Sequence, residues 1–250
     1  MPSFKILRSI LLLSLAIMLL AAFTIKPDQA DTKAKALAQQ VLQRMGGQQA
    51  WDNTRFLAWT FNGQYQVWDK HQNKYRWEKD STVAIIDTET KTGKVYIQGK
   101  ELQNQEEKQK ILERTYALWI NNSYWLLMPF KLQDPGVTLK YVGEDKTLEG
   151  AVADKLEMTF ENVGLTPQNK YHLWIDKEKG LVTQWAFFRN YTDAEPTFTR
   201  RWSEYKDYGK VKLAADRSNP QSDFRLDHIA APADVHTTVF NSPLPIQKLK

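Results

Sequence analysis

The sequence contains no cysteine among its 250 residues. Disulfide bonds, thiolate metal sites and cysteine nucleophiles are therefore excluded, and so is a lipid anchor attached through an N-terminal cysteine. Histidine is scarce as well, and no two of the four histidines stand four residues apart on a predicted helix. The sequence therefore offers no support for a histidine-rich zinc site.

A strong excess of one charge is also missing. The chain has 34 Lys and Arg residues against 29 Asp and Glu residues, a net charge of +5, which is too mild to indicate nucleic-acid binding. The Gly-x-Ser-x-Gly motif of serine hydrolases is absent. Carboxylates such as Asp80, Asp87, Glu89 and Glu101 lie where turns are predicted, the ordinary solvated position for them rather than a paired acid–base site. These features predict a protein that is not an enzyme and that binds neither a cofactor, a metal nor nucleic acid.

What the chain has in excess is aromatic residues, with nine Trp, ten Tyr and eleven Phe. Apolar residues make up 42% of the sequence and charged residues 25%, which suits a folded chain with an ample core. No Pro-, Gly- or Ser-rich linker and no internal repeat divides the sequence after its N-terminal segment. We therefore predict one domain over residues 31–250.

The first 25 residues have the pattern of a secretory signal peptide. Lys5 and Arg8 precede the apolar run Ile10–Ala22, which ends in small residues. Even when it is extended to Ile25, the run is shorter than the roughly 20 apolar residues that span a membrane. We predict cleavage between residues 22 and 30 and a periplasmic location, and the alternative is an uncleaved signal that tethers the protein to the membrane.

The hydrophobic period changes from 3.6 to 2 after the first predicted helix. An apolar stripe with helical spacing follows Asp31, a candidate N-cap, and Gly46-Gly47 ends it. Alternating apolar and polar residues then predict one half-buried strand over residues 57–67. Further strands are predicted at Tyr75–Trp77, Val83–Asp87, Val95–Gln98, Val137–Val142, Ala153–Phe160, Tyr171–Asp176, Val182–Arg189, Phe198–Tyr205, Val211–Ala215, Phe224–Ile229 and Val235–Phe240.

These elements predict a mainly β, α+β fold. Short strands separated by turn residues indicate a curved antiparallel half-barrel of about 10–11 strands in one meandering sheet, with an N-terminal helix. A helical insert over residues 101–128 interrupts the meander, and Pro129 ends it. The last part of the insert is so rich in aromatic residues that it must cover an apolar surface. It is either a permanent plug on the concave side of the sheet, which composition favours, or a movable lid over a cavity.

Several stretches resemble a known family. The most specific is the tryptophan-rich segment Trp119–Leu132, and weaker ones are Met45-Gly46-Gly47 with Trp51, Leu57-x-Trp59-x-Phe61, Asp134-Pro135-Gly136, and Phe160 to Tyr171. They resemble an uncharacterised LolA-like family common in Bacteroidetes, within the LolA/LolB superfamily of lipoprotein-sorting proteins. The resemblance implies an incomplete barrel with a helical lid over a hydrophobic cavity. In the better-known carriers this cavity holds lipoprotein acyl chains during passage across the periplasm.

One departure from those carriers concerns their lid. They have an aromatic-x-Trp motif on an early strand, where this chain has Tyr75-Arg76-Trp77. Just ahead of the motif they place an Arg-Pro pair whose arginine bonds to the lid. This chain has Lys70-His71-Gln72 at that place, so a lid latched by that arginine is not expected.

We predict a monomeric, non-enzymatic periplasmic carrier of lipid or lipoprotein acyl chains, with envelope membrane proteins as further candidate partners. The alternatives are a lipocalin-like binder of another hydrophobic small molecule and an envelope interaction scaffold whose core is filled. The predicted ligand-binding residues lie on the early strands and on the insert: Leu57, Trp59, Phe61, Tyr65, Trp77, Trp119, Trp125, Leu126, Leu127 and Phe130. A second group on the later strands, which could equally be core, is Leu156, Met158, Phe160, Trp185 and Phe187.

Overall fold

Residues 27–250 are described by the computed structural model of the protein. The predicted signal peptide, residues 1–25, lies outside them. Within the described residues the α-helices are α1 (Pro27–Arg44), α2 (Gly47–Asn53) and α3 (Gln105–Leu127), and Met128–Lys131 and Thr237–Phe240 form 3₁₀ turns. None of the helices within residues 27–250 is long and apolar enough to cross a membrane.

The strands of the described residues form three open antiparallel sheets. The seven-stranded sheet has the order β14-β1-β2-β3-β4-β5-β6, from Asp227–Ala230, Phe56–Phe61, Gln64–Asp69, Lys74–Lys79, Thr82–Asp87, Gly93–Ile97 and Lys100–Glu101. The five-stranded sheet has the order β11-β10-β9-β8-β7, from Phe198–Arg201, Val182–Phe188, Lys170–Asp176, Val152–Phe160 and Val137–Lys146. The third sheet pairs β12 (Ser203–Tyr208) with β13 (Val211–Asp216).

The predicted fold class is confirmed, with an N-terminal helix, mainly antiparallel strands and a helical insert. The predicted single meander is divided because α3 separates β6 from β7 in the chain, so that the strands after the insert pair among themselves. A second division falls at Trp202, which is fully buried between β11 and β12. The predicted strand Phe198–Tyr205 is therefore two strands in two sheets.

The single strand predicted over residues 57–67 is wrong. Asn62 and Gly63 have φ angles of +48° and +70°, as a two-residue type I′ hairpin requires, and the turn joins β1 to β2. Directly paired residues lie on the same face of a sheet, and Tyr65 pairs with Thr60 while Gln66 pairs with Trp59. Tyr65 therefore faces the side of the sheet opposite Trp59.

Other predicted elements also differ: the insert helix begins at Gln105, β7 extends to Lys146 and β14 covers Asp227–Ala230. Helix α1 begins at Pro27, ahead of the predicted N-cap Asp31. Residues 235–240 form no strand, because His236 accepts a hydrogen bond from the backbone N–H of Thr238 and starts a 3₁₀ turn.

The apolar stripe of α1 packs on β7 and the neighbouring core, as its helical spacing predicts. Its buried residues are Ala34, Leu37, Ala38, Val41, Leu42 and Met45. The helix stops before Gly46, which has a φ of +119° and lies so close to β13 that a Cβ atom there would be 2.5 Å from the carbonyl oxygen of Lys210. Only glycine fits this junction without strain.

A partly buried ion pair joins α1 to the five-stranded sheet. The carboxylate of Asp154 accepts from Lys33 Nζ and from the hydroxyl of Tyr141, each at 2.9 Å. Burial alone would raise the pKa of Asp154, but the hydrogen bonds from Lys33 and Tyr141 outweigh it and hold this pKa below its ordinary value. The ionised carboxylate is therefore the form that the folded state prefers.

We expect Asp154→Asn to lower the free energy of unfolding at pH 7 by about 0.5–1 kcal/mol, a small value because Lys33 is partly exposed. A folded-state pKa below the unfolded value of about 3.9 stabilises the fold above that pH. The difference between wild type and variant should therefore shrink as the pH falls through the folded-state pKa. Urea unfolding at pH 7 and at pH 3 measures both values, and a pH-independent difference would contradict the assignment.

The C-terminal segment after β14 crosses the outer face of the seven-stranded sheet, the face that carries Tyr65. Arg76 on β3 is fully buried beneath this segment. Its guanidinium donates to the backbone carbonyls of Val239 at 3.0 Å, Ser242 at 2.9 Å and Leu244 at 2.5 Å. The inner face is thus left to pack against α3 and the other sheets.

Candidate functional site

A cavity of about 360 Å³ lies between α3 and the inner face of the five-stranded sheet. Its walls come from α3, from the strand ends of β8 to β11 and from the loop between β8 and β9. The lining residues are Ile120, Asn121, Tyr124, Trp125, Phe160, Val163, Gly164, Leu165, Thr166, Asn169, Tyr171, Trp185, Phe187 and Phe198. The site is therefore a mostly apolar, aromatic pocket.

The aromatic walls are ordered by strand register. Phe187 pairs directly with Tyr171 on one side and with Phe198 on the other, so the three rings share one face of the sheet. The rings of Tyr171 and Trp185 are parallel within 1° with their centroids 5.3 Å apart. Trp125 of α3 meets Trp185 edge-on, with a centroid distance of 4.9 Å and an interplanar angle of 87°. Such offset and edge-to-face contacts stabilise a rigid wall.

The two tyrosines of the cavity remain uncharged. Burial raises the pKa of Tyr124 and of Tyr171 well above the ordinary tyrosine value. The hydroxyl of Tyr124 points to the sulfur of Met158 at 3.6 Å. Both phenols are therefore protonated near neutral pH, and the cavity wall presents no ionised group.

The open side of the cavity is formed by the loop over residues 161–169 and by an exposed turn of α3. Leu165 is 54% exposed, and Thr166 and Asn121 are exposed as well. Asn169 is buried, and its side-chain amide donates to the carbonyl of Arg189 at 2.7 Å. This bond connects the loop to the neighbouring loop between β10 and β11. We call the open side, formed by residues 163–166 and Asn121, the mouth of the cavity.

The C-terminal end of α3 leaves one backbone carbonyl without a helical partner. In an α-helix each carbonyl accepts from the N–H four residues later. The residue four positions after Trp125 is Pro129, which has no N–H. The carbonyl of Trp125 must find its donor elsewhere.

Arg217, which follows β13, supplies that donor. Its Nε and Nη2 lie 3.1 and 2.9 Å from the carbonyl oxygen of Trp125, and its Nη1 donates to the carbonyl of Asp216 at 2.7 Å. The guanidinium also stacks on the ring of Trp202 at 3.4 Å. Burial lowers the pKa of Arg217 to about 9, so the group stays mostly charged at neutral pH. An arginine does contact the insert, but it comes from a late strand and not from the position ahead of Tyr75.

A second anchor joins α3 to the seven-stranded sheet. The side-chain amide of Asn122 donates to Gln64 Oε1 at 3.3 Å. The indole N–H of Trp77 donates to the same oxygen at 2.6 Å. All three side chains are buried, so the insert is held to the core by a satisfied polar network.

The structure brings some of the sequence-predicted residues to the cavity. Trp125 lines it, together with Phe160, Trp185 and Phe187 from the second predicted group. The other apolar predictions belong to the main core and do not line the cavity: Leu57, Trp59, Phe61, Trp77, Leu126, Leu127, Leu156 and Met158.

The remaining predicted residues lie away from the cavity. Trp119 packs edge-on against Trp68, with the ring centroids 5.5 Å apart. Phe130 stacks on Trp51, with the ring centroids 4.4 Å apart. The expectation that Tyr65 shares a face with Trp59 is wrong, because the hairpin turn places Tyr65 under the C-terminal segment.

Sequence reasoning missed ten of the 14 residues that line the cavity. Tyr171 lies in a predicted strand and on the same face as Leu173, so strand alternation contains the signal for it. Ile120 and Tyr124 are four residues apart and therefore lie on the same face of α3, the face that borders the cavity. The loop residues have no periodicity, so helix and strand patterns could not have assigned them.

The described part of the chain contains no candidate metal-binding site. Within residues 27–250, no three His, Asp or Glu side chains lie close enough together to hold a metal ion.

These features define an open-sheet antiparallel β protein with an uncharged aromatic cavity beside a helical insert. The chain belongs to the family of unknown function DUF6503, whose model matches residues 14–231. No similar sequence was found among curated proteins.

Three bacterial structures are among the solved structures to which this chain is similar. A DUF1329 family protein from Desulfovibrio piger shares 10% identity over 83% of this chain and 96% of its own, with a TM-score of 0.40. A domain assigned as an outer membrane lipoprotein-sorting protein from Vibrio parahaemolyticus shares 10% identity over 84% and 97%, with a TM-score of 0.41. The MucA/MucB complex of Pseudomonas aeruginosa matches at 14% identity over 73% and 65%, with a TM-score of 0.25. Similarities at this level carry no argument about function, which is therefore argued from the cavity.

Proposed function

We propose that the protein is a non-enzymatic carrier that holds one hydrophobic molecule in the aromatic cavity beside α3. The cavity is the observation that carries this proposal. Small-molecule pockets are typically about 300–1,000 Å³ and mostly apolar with a few polar groups. A volume of about 360 Å³ lies at the lower end of that range and suits a slender ligand such as one acyl chain, for which each buried methylene contributes ~0.8 kcal/mol.

In this proposal α3 is a fixed wall and the ligand enters through the mouth. Gln64 of the seven-stranded sheet and Arg217, which follows β13 of the two-stranded sheet, hold the insert at two points. The loop over residues 161–169 has no such anchor at Leu165 and Thr166, whose side chains are exposed. Entry therefore requires displacement of loop side chains and not the opening of the helix.

The proposed setting is the bacterial periplasm, with lipid or lipoprotein acyl chains as cargo and envelope membrane proteins as donors or acceptors. The signal-like N-terminal segment and the resemblance of Trp119–Leu132 to LolA-like proteins support it. A monomer suffices, because the cavity is built from one chain.

The second candidate is an envelope scaffold whose insert is structural. The double anchoring of α3 favours it, since a helix fixed in this way also serves simply to complete the core. In that case the cavity takes up no ligand. The two candidates therefore differ in one measurement, which is ligand uptake by the wild-type protein.

We expect the delipidated wild type to bind 1-monolauroylglycerol, measured by titration calorimetry below the critical micelle concentration. Thr166→Trp should weaken this binding at least tenfold, because the added ring fills the mouth. Thr166 is exposed, so the fold should tolerate the change.

Gln168→Trp is the matched control, since Gln168 is an exposed residue of the same loop that does not line the cavity. It should bind like the wild type. A wild type that releases no binding heat with any acyl ligand would overturn the carrier and leave the scaffold.

A further inference from the structure

Every one of the residues that line the cavity has an uncharged side chain. The polar members, Asn121, Thr166 and Asn169, are amides or a hydroxyl. The two tyrosines stay protonated because burial raises the pKa of each. A ligand inside the cavity therefore meets hydrogen-bonding dipoles and aromatic rings but no counter-ion.

Cations do lie behind the aromatic wall, but each is already bonded to protein oxygen atoms. Arg200 lies beside the Phe198 ring and donates to the carbonyl of Arg217 at 3.0 Å and to Ser222 Oγ at 3.2 Å. The guanidinium of Arg217 is shared among backbone carbonyls, that of Trp125 included. Neither arginine is among the residues that line the cavity.

Another cation near this end of the sheet, Lys170, is on the opposite face. Lys170 lies over the outward-facing ring of Phe188 and donates to the carbonyl of Asp193 at 3.0 Å. An ionised carboxylate carried into the cavity would lose hydration and gain only neutral dipoles without a counter-ion, which is unfavourable. A hydroxyl or ester group can instead hydrogen-bond to Asn121 or Thr166 at the mouth.

We infer that the cavity selects amphiphiles whose polar end is uncharged, such as an acylglycerol or a long-chain alcohol, over the ionised fatty acid of the same chain length. The inference rests on the proposed carrier function and adds the ligand class to it. Its basis is the chemistry of the cavity wall and mouth, together with the bonds that already occupy the neighbouring cations.

Titration calorimetry with three twelve-carbon ligands tests it. At pH 8 the wild type should bind 1-monolauroylglycerol and dodecanol at least tenfold more tightly than laurate. As the pH falls through the pKa of the free acid, the laurate affinity should rise towards that of dodecanol. The dodecanol affinity should stay constant over the same range.

A cation introduced at the mouth should reverse the preference. Asn121→Lys places an ammonium group where a carboxylate would sit, and we expect the ratio of laurate affinity to dodecanol affinity at pH 8 to rise at least tenfold. Gln109→Lys is the control for net charge. Gln109 is exposed on the same helix, and twelve residues along an α-helix place it about 18 Å away.

The outcomes separate the two levels of the argument. Equal wild-type affinities for laurate and dodecanol at pH 8 would overturn the selection for uncharged ligands and leave the carrier function intact. The same holds if Gln109→Lys tightens laurate binding as much as Asn121→Lys does. No binding of any of the three ligands would overturn the carrier function itself.

Discussion

Replacement of Arg217 by methionine is expected to lower the free energy of unfolding by about 3–5 kcal/mol, because one side chain satisfies several buried carbonyls. Methionine has a similar length but no donor, so the carbonyl of Trp125 stays without a partner in both the helix and the core. The carbonyls of Ala214 and Asp216 lose a donor at the same time. Since a domain of this kind is stable by only about 5–15 kcal/mol, the loss should be evident as a lower urea midpoint.

The location of the effect is as informative as its size. Amide hydrogen exchange should accelerate first in the last turn of α3, because the orphaned carbonyl lies there. Arg225→Met is the matched control, since Arg225 pairs with Glu204 on the surface and exposed pairs contribute little. A loss below about 1 kcal/mol for Arg217→Met would show that this contact does not hold the insert.

Trp125→Asp is expected to destabilise the domain by at least about 3 kcal/mol, because it removes a large aromatic side chain that packs against several others. The ring of Trp125 contacts Phe61 of the seven-stranded sheet and Trp185 of the five-stranded sheet. The ring centroids are 5.3 and 4.9 Å apart, respectively. A carboxylate at this position would also be desolvated among aromatic rings. Thermal and urea unfolding measure the loss.

The result decides between a fixed wall and a movable lid. Asn121→Asp adds the same charge one helical turn away at an exposed position and should leave the stability within about 0.5 kcal/mol of the wild type. If Trp125→Asp loses ligand binding but keeps wild-type stability, α3 opens as a lid and the fixed wall is wrong. A large loss of stability supports the wall.

Local signals account for the elements that the sequence predicted well. The stripe of α1 and the positive φ of Gly46 depend only on residues within one helix and its end. Helix α3 begins after Asn104, whose side chain accepts from the backbone N–H of Glu107 at 3.0 Å, and it ends just before Pro129. A capping residue, an apolar stripe and a proline are all readable within a few residues.

The errors came from one local turn signal and from contacts between distant residues. The hairpin at Asn62-Gly63 carries a readable turn signal, and overlooking it put Tyr65 on the wrong face, since a register change moves every side chain of a strand. The division into three sheets depends on which strands pair after the insert, and no local pattern encodes that choice. The contact between Arg217 and Trp125 joins residues 92 positions apart.

By itself the sequence determined the fold class, the helical insert and the aromatic, charge-balanced character of the protein, because periodicity, composition and proline act within short stretches of chain. Only the tertiary structure decided which aromatic residues line a cavity and which fill the core. Phe160 and Met158 are alternate residues of one strand face, yet Phe160 borders empty space while Met158 is fully buried. The difference arises because the loop and α3 meet the sheet at its end, and packing between separate elements is not encoded in the period of any one of them.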